Sequence, residues 1–231
     1  MKIRQLKITV YLKQDIKVEE IYKYLSNYIN GVMKSNDFLS AIHISNKRYK
    51  FYSYSGLMPT PKDKTIYKKD NLYCFELTTP DIKMLENFKS AFKEYNDSVF
   101  INCSTTEKNF TYSGTIKKII TVTPCVITYN NRSLSEKRMA LIRERVLVNL
   151  IRKYNAFFNK NISEEFDFIE DLSMHNKSPI PIRYKNTTIL GFKLNLQIRQ
   201  DDLSQELAMF ALQTGILEKN SLGLGYCKIV W

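Results

Sequence analysis

The sequence is poor in residues that carry metal and redox chemistry. Its 231 residues include four cysteines and two histidines. Cys74, Cys103, Cys125 and Cys227 lie 29, 22 and 102 residues apart, a spacing that fits no zinc ribbon or redox pair, so they read as reduced core thiols. His43 and His175 are too far apart to suggest a shared metal ion. No GxxxxGK[ST] run is present, which excludes a P-loop nucleotide site. The densest carboxylate group, Glu164, Glu165, Asp167, Glu170 and Asp171, falls in a loop-like stretch and reads as solvated surface. Neither a metal nor a cofactor is expected. No stretch approaches the roughly 20 apolar residues of a membrane helix. The start, MKIRQLKITVYL, alternates charged with apolar residues where a signal peptide would have a continuous apolar core. The expectation is a cytoplasmic protein with no membrane partner, as a monomer or homodimer.

What is present is an ordinary globular composition, 44% hydrophobic and 25% charged. A chain of this length buries roughly 70% of its unfolded surface, which rules out disorder as its general state. Positive charge is in excess: 35 Lys and Arg against 23 Asp and Glu, a formal +12. Residues 1–115 and 116–231 each carry +6, so both halves can face one polyanion. A field of this sign attracts phosphates at long range and favours a nucleic-acid partner.

Periodicity gives the elements. Ile8, Val10 and Leu12 alternate along a strand over Ile3–Leu12, and Ile21, Leu25, Tyr28, Ile29 and Val32 recur at helical spacing within Val18–Met33. Tyr49–Ser55 and Leu72–Thr78 read as strands joined by a long loop with Gly56, Pro59 and Pro61. Thr79-Pro80 reads as a cap followed by a first-turn proline, opening a helix over Asp81–Tyr95. Strand patterns return at Val99–Cys103 and around Phe110–Tyr112. This order is the split βαβ arrangement of ferredoxin-like domains, and it recurs. Lys117–Tyr129 reads as a strand interrupted by Pro124, Ser135–Asn155 as a helix, Ile180–Tyr184 and Thr188–Ile198 as strands, Asp202–Thr214 as a helix and Lys228–Trp231 as a last strand. The expected fold is α+β, two tandem ferredoxin-like βαββαβ domains over 1–115 and 116–231. On the long second-half helix, Arg138, Arg145 and Arg152 recur every seven residues along one face.

Two stretches stand out. YINGVMKSNDFLSAIHISNKRYKFYSYSGL carries Tyr28, His43, Lys47 and Lys50; TGILEKNSLGLGYCKIVW carries Gly223 and Gly225 around Leu224. The two glycines allow backbone amides to approach a phosphate, with Lys219, Asn220 and Ser221 as neighbouring donors, or else simply form a turn into an edge strand. With these residues the sequence resembles the CRISPR-associated endoribonucleases that cut repeat RNA, the sixth-numbered Cas family within the RAMP superfamily. Glu218–Ile229 is similar to that family's C-terminal glycine-rich loop, although Leu217 stands where a further glycine is usual. LSAIHISNKRYKFYSYS is similar to its catalytic region. The resemblance implies two ferredoxin-like folds, CRISPR repeat RNA as partner, association with other Cas proteins, and metal-independent cutting that leaves a 2′,3′-cyclic phosphate and a 5′-hydroxyl. It also implies catalytic roles for Tyr28, His43 and either Lys50 or Lys47.

The chemistry asks for such groups on its own terms. A ribose 2′-hydroxyl beside the scissile phosphate needs only to lose its proton, and the phosphorane and departing 5′-oxygen need charge and a proton. An imidazole, with an ordinary pKa of about 6.5, suits the first task, and a lysine the second. A tyrosine can orient the phosphate, but Tyr28 fits a helix core equally well. The expected RNA-binding residues are Lys219, Asn220, Ser221, Gly223, Gly225, Arg138 and Arg145. Two further classes remain open, a non-catalytic RAMP subunit that holds guide RNA and a basic DNA-binding regulator.

Overall fold

The computed structural model describes residues 2–45, 49–127, 139–184 and 187–230. In chain order the first half runs β1 (Lys2–Leu12), β2 (Ile16–Lys17), α1 (Ile21–Lys34), α2 (Asp37–Ile44), β3 (Ser53–Tyr54), β4 (Ile66–Tyr67), β5 (Leu72–Thr78), α3 (Ile82–Glu94) and β6 (Phe100–Thr111). The second runs β7 (Lys118–Thr121), α4 (Met139–Phe158), β8 (Ile169–Met174), β9 (Ile180–Tyr184), β10 (Thr187–Gly191), β11 (Leu194–Ile198), α5 (Asp202–Thr214) and β12 (Cys227–Ile229).

The two main sheets have strand orders β3-β5-β1-β6 and β12-β7-β11-β8, antiparallel throughout. In each, the first main strand lies between the third and fourth, and the second lies outside the third. The molecule is therefore two ferredoxin-like units in tandem, with the β9-β10 hairpin inserted in the second. Burial follows from the sequence period. Along β1, Leu6, Ile8, Val10 and Leu12 are fully buried, every second residue, as a one-faced sheet requires. Leu25, Tyr28, Ile29 and Val32 of α1 and Met84, Leu85, Phe88 and Phe92 of α3 close the same core. Each such side chain contributes roughly 1.5–3 kcal/mol by leaving water. Among the described residues no helix is long and apolar enough to cross a membrane.

Several local expectations are revised. Asp81, not Thr79, caps α3, accepting from Met84 N at 3.0 Å, while Thr79 Oγ1 accepts from Asp81 N at 3.2 Å. The two strand patterns at Val99–Cys103 and Phe110–Tyr112 are one strand, β6. Its polar middle stays extended because it pairs with β1 from end to end, and Glu107 bonds Arg4 and Lys89 at 2.7 and 2.9 Å. The expected strand Thr188–Ile198 breaks after Gly191. A Cβ there would run into Pro124 and Ile182, and β10 and β11 join different sheets. The strand expected over Lys117–Tyr129 ends at Thr121; Thr128 and Tyr129 lie outside the described residues, as do Ser135–Arg138 of the expected helix and Trp231 of the last strand. The acidic stretch read as loop contains β8, anchored by buried Phe168 and Ile169. Cys125 and Cys227 are buried as expected, but Cys74 on β5 is half-buried, and Cys103 is exposed on β6 where the register with β1 shifts and Cys103 has no partner residue.

Candidate functional site

α2, a helix that the sequence periodicity did not reveal, carries His43. Asn36 starts the helix by accepting from Leu39 N at 3.0 Å, a cap worth about 1 kcal/mol. Its other end leaves carbonyls without helical partners, and Lys50 supplies them. The Lys50 ammonium donates to the carbonyls of Ile42, His43 and Ser45 at 2.6, 3.1 and 2.7 Å. A lysine has three N–H donors, so all three are directed at the backbone that carries the imidazole. That arrangement fixes His43 and complements the negative end of the helix. It does not leave an N–H for a phosphorane, the role expected of Lys50. Lys47, the alternative, lies outside the described residues. His43 itself is partly exposed, in the last turn of α2. Burial first, then the charges of Lys34 and Lys50, hold its pKa below the ordinary value and favour the neutral ring.

Tyr28 is in the core and not at a reactive surface. It is fully buried, packed on Phe92 and Phe100 with ring centroids 5.9 and 5.2 Å away, and its hydroxyl donates to the Tyr95 carbonyl at 3.2 Å. Burial raises its pKa. The helical period that placed it on the buried face accounts for it completely.

The glycine-rich loop follows α5. Gly215, Gly223 and Gly225 all have positive φ, near 70–80°, where glycine is the residue without steric cost. Gly223 and Gly225 are buried and do not line an open surface. A Cβ at Gly223 would strike the Tyr54 ring, and one at Gly225 the Ile216 carbonyl. Gly223 thus lets the loop pack closely on β3, and Gly225 lets it pack on its own backbone, in place of the expected approach to phosphate. Asn220 is likewise engaged internally. Its amide donates to Ile216 and Leu224 carbonyls at 2.9 and 2.8 Å, and its oxygen accepts from Lys153 at 2.9 Å.

Lys153 was not singled out by the sequence reading. It is 3% exposed and also donates to the Gly215 carbonyl at 2.6 Å, so α4 and both ends of the loop meet at one ammonium. Burial pushes its pKa down to about 7, opposed weakly by the neighbouring Cys125 and Cys227 thiols. The signal was its spacing from Val146 and Leu150, which puts it on the apolar face of α4.

What remains open to solvent is a cleft of about 290 Å³ between the halves, lined by Tyr49, Lys50, Lys153, Lys219 and Ser221 among others. Lys219 is exposed at its rim, and the Ser221 carbonyl accepts from Tyr54 at 3.4 Å. A second cleft of about 200 Å³ shares Tyr49, Leu217 and Glu218 and continues to Arg145, Asn149 and Arg152 on α4. Arg152 is paired with Glu164 and Arg143 with Asp167, each at 2.7 Å, whereas Arg145 makes no ion pair among the described residues. Arg138 lies outside the described residues. The site therefore brings Lys50, Lys219, Ser221 and Arg145 to adjoining clefts, with His43 on the helix that Lys50 holds. Among the described residues no three His, Cys, Asp or Glu side chains converge as a metal site.

The sequence model for the C-terminal region of CRISPR associated protein Cas6 matches residues 105–229. No curated protein matches the sequence. Among solved structures, one described as CRISPR associated protein Cas6 superposes with a TM-score of 0.76 at 18% identity, covering 100% of both chains. A RAMP protein binding different RNA substrates gives 0.75 at 14% identity, over 99% of this chain and 100% of that one. A Cas6 product complex gives 0.69 at 14% identity, over 99% of each.

Proposed function

The chain belongs to the Cas6 family of CRISPR-associated proteins, and from that premise we propose that it is an endoribonuclease that binds CRISPR repeat RNA and cuts it to release guide RNAs, without a metal ion. Residues 1–115 provide the base and residues 116–231 the positively charged track. Neutral His43 takes the proton of the 2′-hydroxyl, the oxygen attacks the adjacent phosphorus, and the bond to the 5′-oxygen breaks. The products are a 2′,3′-cyclic phosphate and a 5′-hydroxyl, whose proton comes from the imidazolium or solvent. Lys50 is a positioning residue that acts through α2, and Lys219, Ser221 and Arg145 bind the phosphate backbone.

The observation that carries this reading is a histidine biased to its neutral form on a helix end that Lys50 ties to the wall of a basic cleft. End-group analysis of single-stranded repeat RNA after incubation in a chelator tests it. The expected result is a cyclic phosphate with the native chain, and uncut but bound RNA with His43→Ala. A strict magnesium requirement, or native cutting rates in His43→Ala, overturns the mechanism. The burial of Tyr28 favours one alternative, a non-catalytic RAMP subunit, because it removes one member of the expected catalytic set. In the same assay that subunit binds the repeat and returns it intact.

A further inference from the structure

The chain of the first unit does not stay within its own core. Phe51 and Tyr52 are neighbours in sequence, yet Phe51 packs against the core of the second unit and Tyr52 is buried in that of the first. Tyr52 lies on Phe88, ring centroids 5.4 Å apart, and its hydroxyl donates to Met33 Sδ at 3.5 Å. Phe51 meets Phe157, in the last turn of α4, edge to face at 5.1 Å and 66°. Phe157 rests in turn on Phe210 of α5, 5.7 Å away and 1% exposed. The contact is thus the outer end of a row of rings that starts inside the second unit, and edge-to-face pairs of this kind fix orientation as well as bury area.

The backbone at this point holds a conformation that its own residue type resists. Phe51 has φ 53°, in the left-handed region, an outlier for a bulky side chain that persists only where the surroundings hold it. Besides Phe157, the Phe51 ring meets that of Tyr49, at 6.0 Å on the same short segment, so the rigid support comes from the second unit. With Tyr52 anchored on one side, rotation about the Phe51 N–Cα bond decides where the preceding residue points. That residue is Lys50, whose ammonium closes the end of α2 through the carbonyls of Ile42, His43 and Ser45. A relaxed Phe51 would swing Lys50 off those carbonyls.

We propose that Phe157 is a positioning residue for the cleavage reaction, contributed by the second unit: its ring holds the bend at Phe51, the bend aims Lys50 at the end of α2, and α2 presents His43. The base and the support of its helix thus come from different halves of the chain, and cutting depends on how those halves pack. A misplacement of about 1 Å can cost roughly 10²-fold in rate, so a ring that touches no reacting atom can still govern the reaction. Affinity for RNA does not pass through this link.

The proposal rests on the reading of His43 as the base, and the test separates the two. Phe157→Ala, Phe157→Leu, Phe51→Ala and Lys50→Met are made singly, and Phe157→Ala is also combined with Lys50→Met; melting curves confirm that each variant folds. One readout is single-turnover cleavage of end-labelled repeat RNA at saturating protein. The other is the titration of His43 in the RNA-free protein by NMR, assigned among the two histidines by its absence in His43→Ala. Phe157→Ala and Phe51→Ala should each slow cleavage roughly tenfold with RNA affinity unchanged. Phe157→Leu, which refills most of the space, should return to within about threefold of the native rate. Burial lowers the His43 pKa first, then the charges of Lys34 and Lys50, so displacing Lys50 should raise it in Phe157→Ala. In the Lys50→Met background Phe157→Ala should change neither readout further, because the two act through one link. A native rate and an unmoved His43 pKa in both alanine variants overturn the proposal, as do losses that simply add to those of Lys50→Met. If the native chain leaves repeat RNA uncut, the cleavage reading falls and the claim on rate with it, while the titration separately upholds or overturns the link from Phe157 to His43.

Discussion

The two ferredoxin-like units share a strand order, and both pack clusters of rings, but they differ in the charge they bury. In the first, Tyr28, Phe75, Phe88, Phe92 and Phe100 pack at 5.2–6.5 Å, and the buried polar side chains, such as Gln5, Ser26, Ser53 and Thr78, are all neutral. The second admits an ammonium, Lys153, and an amide, Gln205, into its interior, each with hydrogen-bond partners. A ring-filled core gives a rigid base on which a short helix can present an imidazole. A core that accepts polar atoms can shape irregular backbone, because the carbonyls of a tight loop need buried donors. The same topology thus supports positioning in one half and loop-building in the other.

The contrast can be broken most severely at Lys50. Lys50→Met removes the donors at the end of α2, and single-turnover cleavage is expected to fall about 10- to 100-fold while RNA affinity changes little; an unchanged rate would mean that α2 holds itself. The second half should respond to pH instead. The Lys153 ammonium has a native pKa of about 7 against about 10.4 when unfolded. Between these values the unfolded chain holds a proton that the native chain has lost, so this group makes stability rise with pH. Above pH ~8.5 the buried Cys125 and Cys227, whose pKa values are raised by burial, act in the other direction. Melting temperature should therefore climb from about pH 7 to 8.5 in the native chain and stay nearly flat in Lys153→Met. A matching climb in the variant would assign it to other groups.

A smaller effect belongs to the ring-filled core. Tyr28→Phe loses one hydrogen bond and should cost about 1 kcal/mol in denaturant unfolding with the cleavage rate preserved; a large drop in rate would return Tyr28 to the reaction. Smallest is the charge beside the base. Lys34→Gln should move the acid limb of the pH–rate profile upward, toward about 6.5, because the proposed mechanism uses a neutral His43 and one of the charges depressing its pKa is gone. A downward or absent shift would show that another group titrates.

The strand and helix order was largely legible, since β1, α1, α3 and α5 carry their burial in plain period. α2 was missed because its eight residues offer too few turns for a pattern, though Asn36-Asp37 before Phe38 and Leu39 was a readable start. At the candidate site, His43 was singled out by resemblance to family members. The direction of Lys50 could not, for its partners are carbonyls, which sequence never distinguishes. Tyr28 was ambiguous because core and catalytic placement predict the same spacing. The need for positive φ at Gly223 and Gly225 was foreseeable; that the space beneath Gly223 holds Tyr54 and not a ligand depends on how the two halves meet.

That contact has a consequence for any attempt to divide the protein. Tyr54 lies on an edge strand of one half, its ring against Gly223 and its hydroxyl donating to Ser221 of the other. Severed fragments would each expose a surface shaped only for its absent counterpart, a tyrosine on one and a contorted glycine turn on the other. Reassembly of such fragments should be an all-or-none event, with neither piece retaining a partial share of the work.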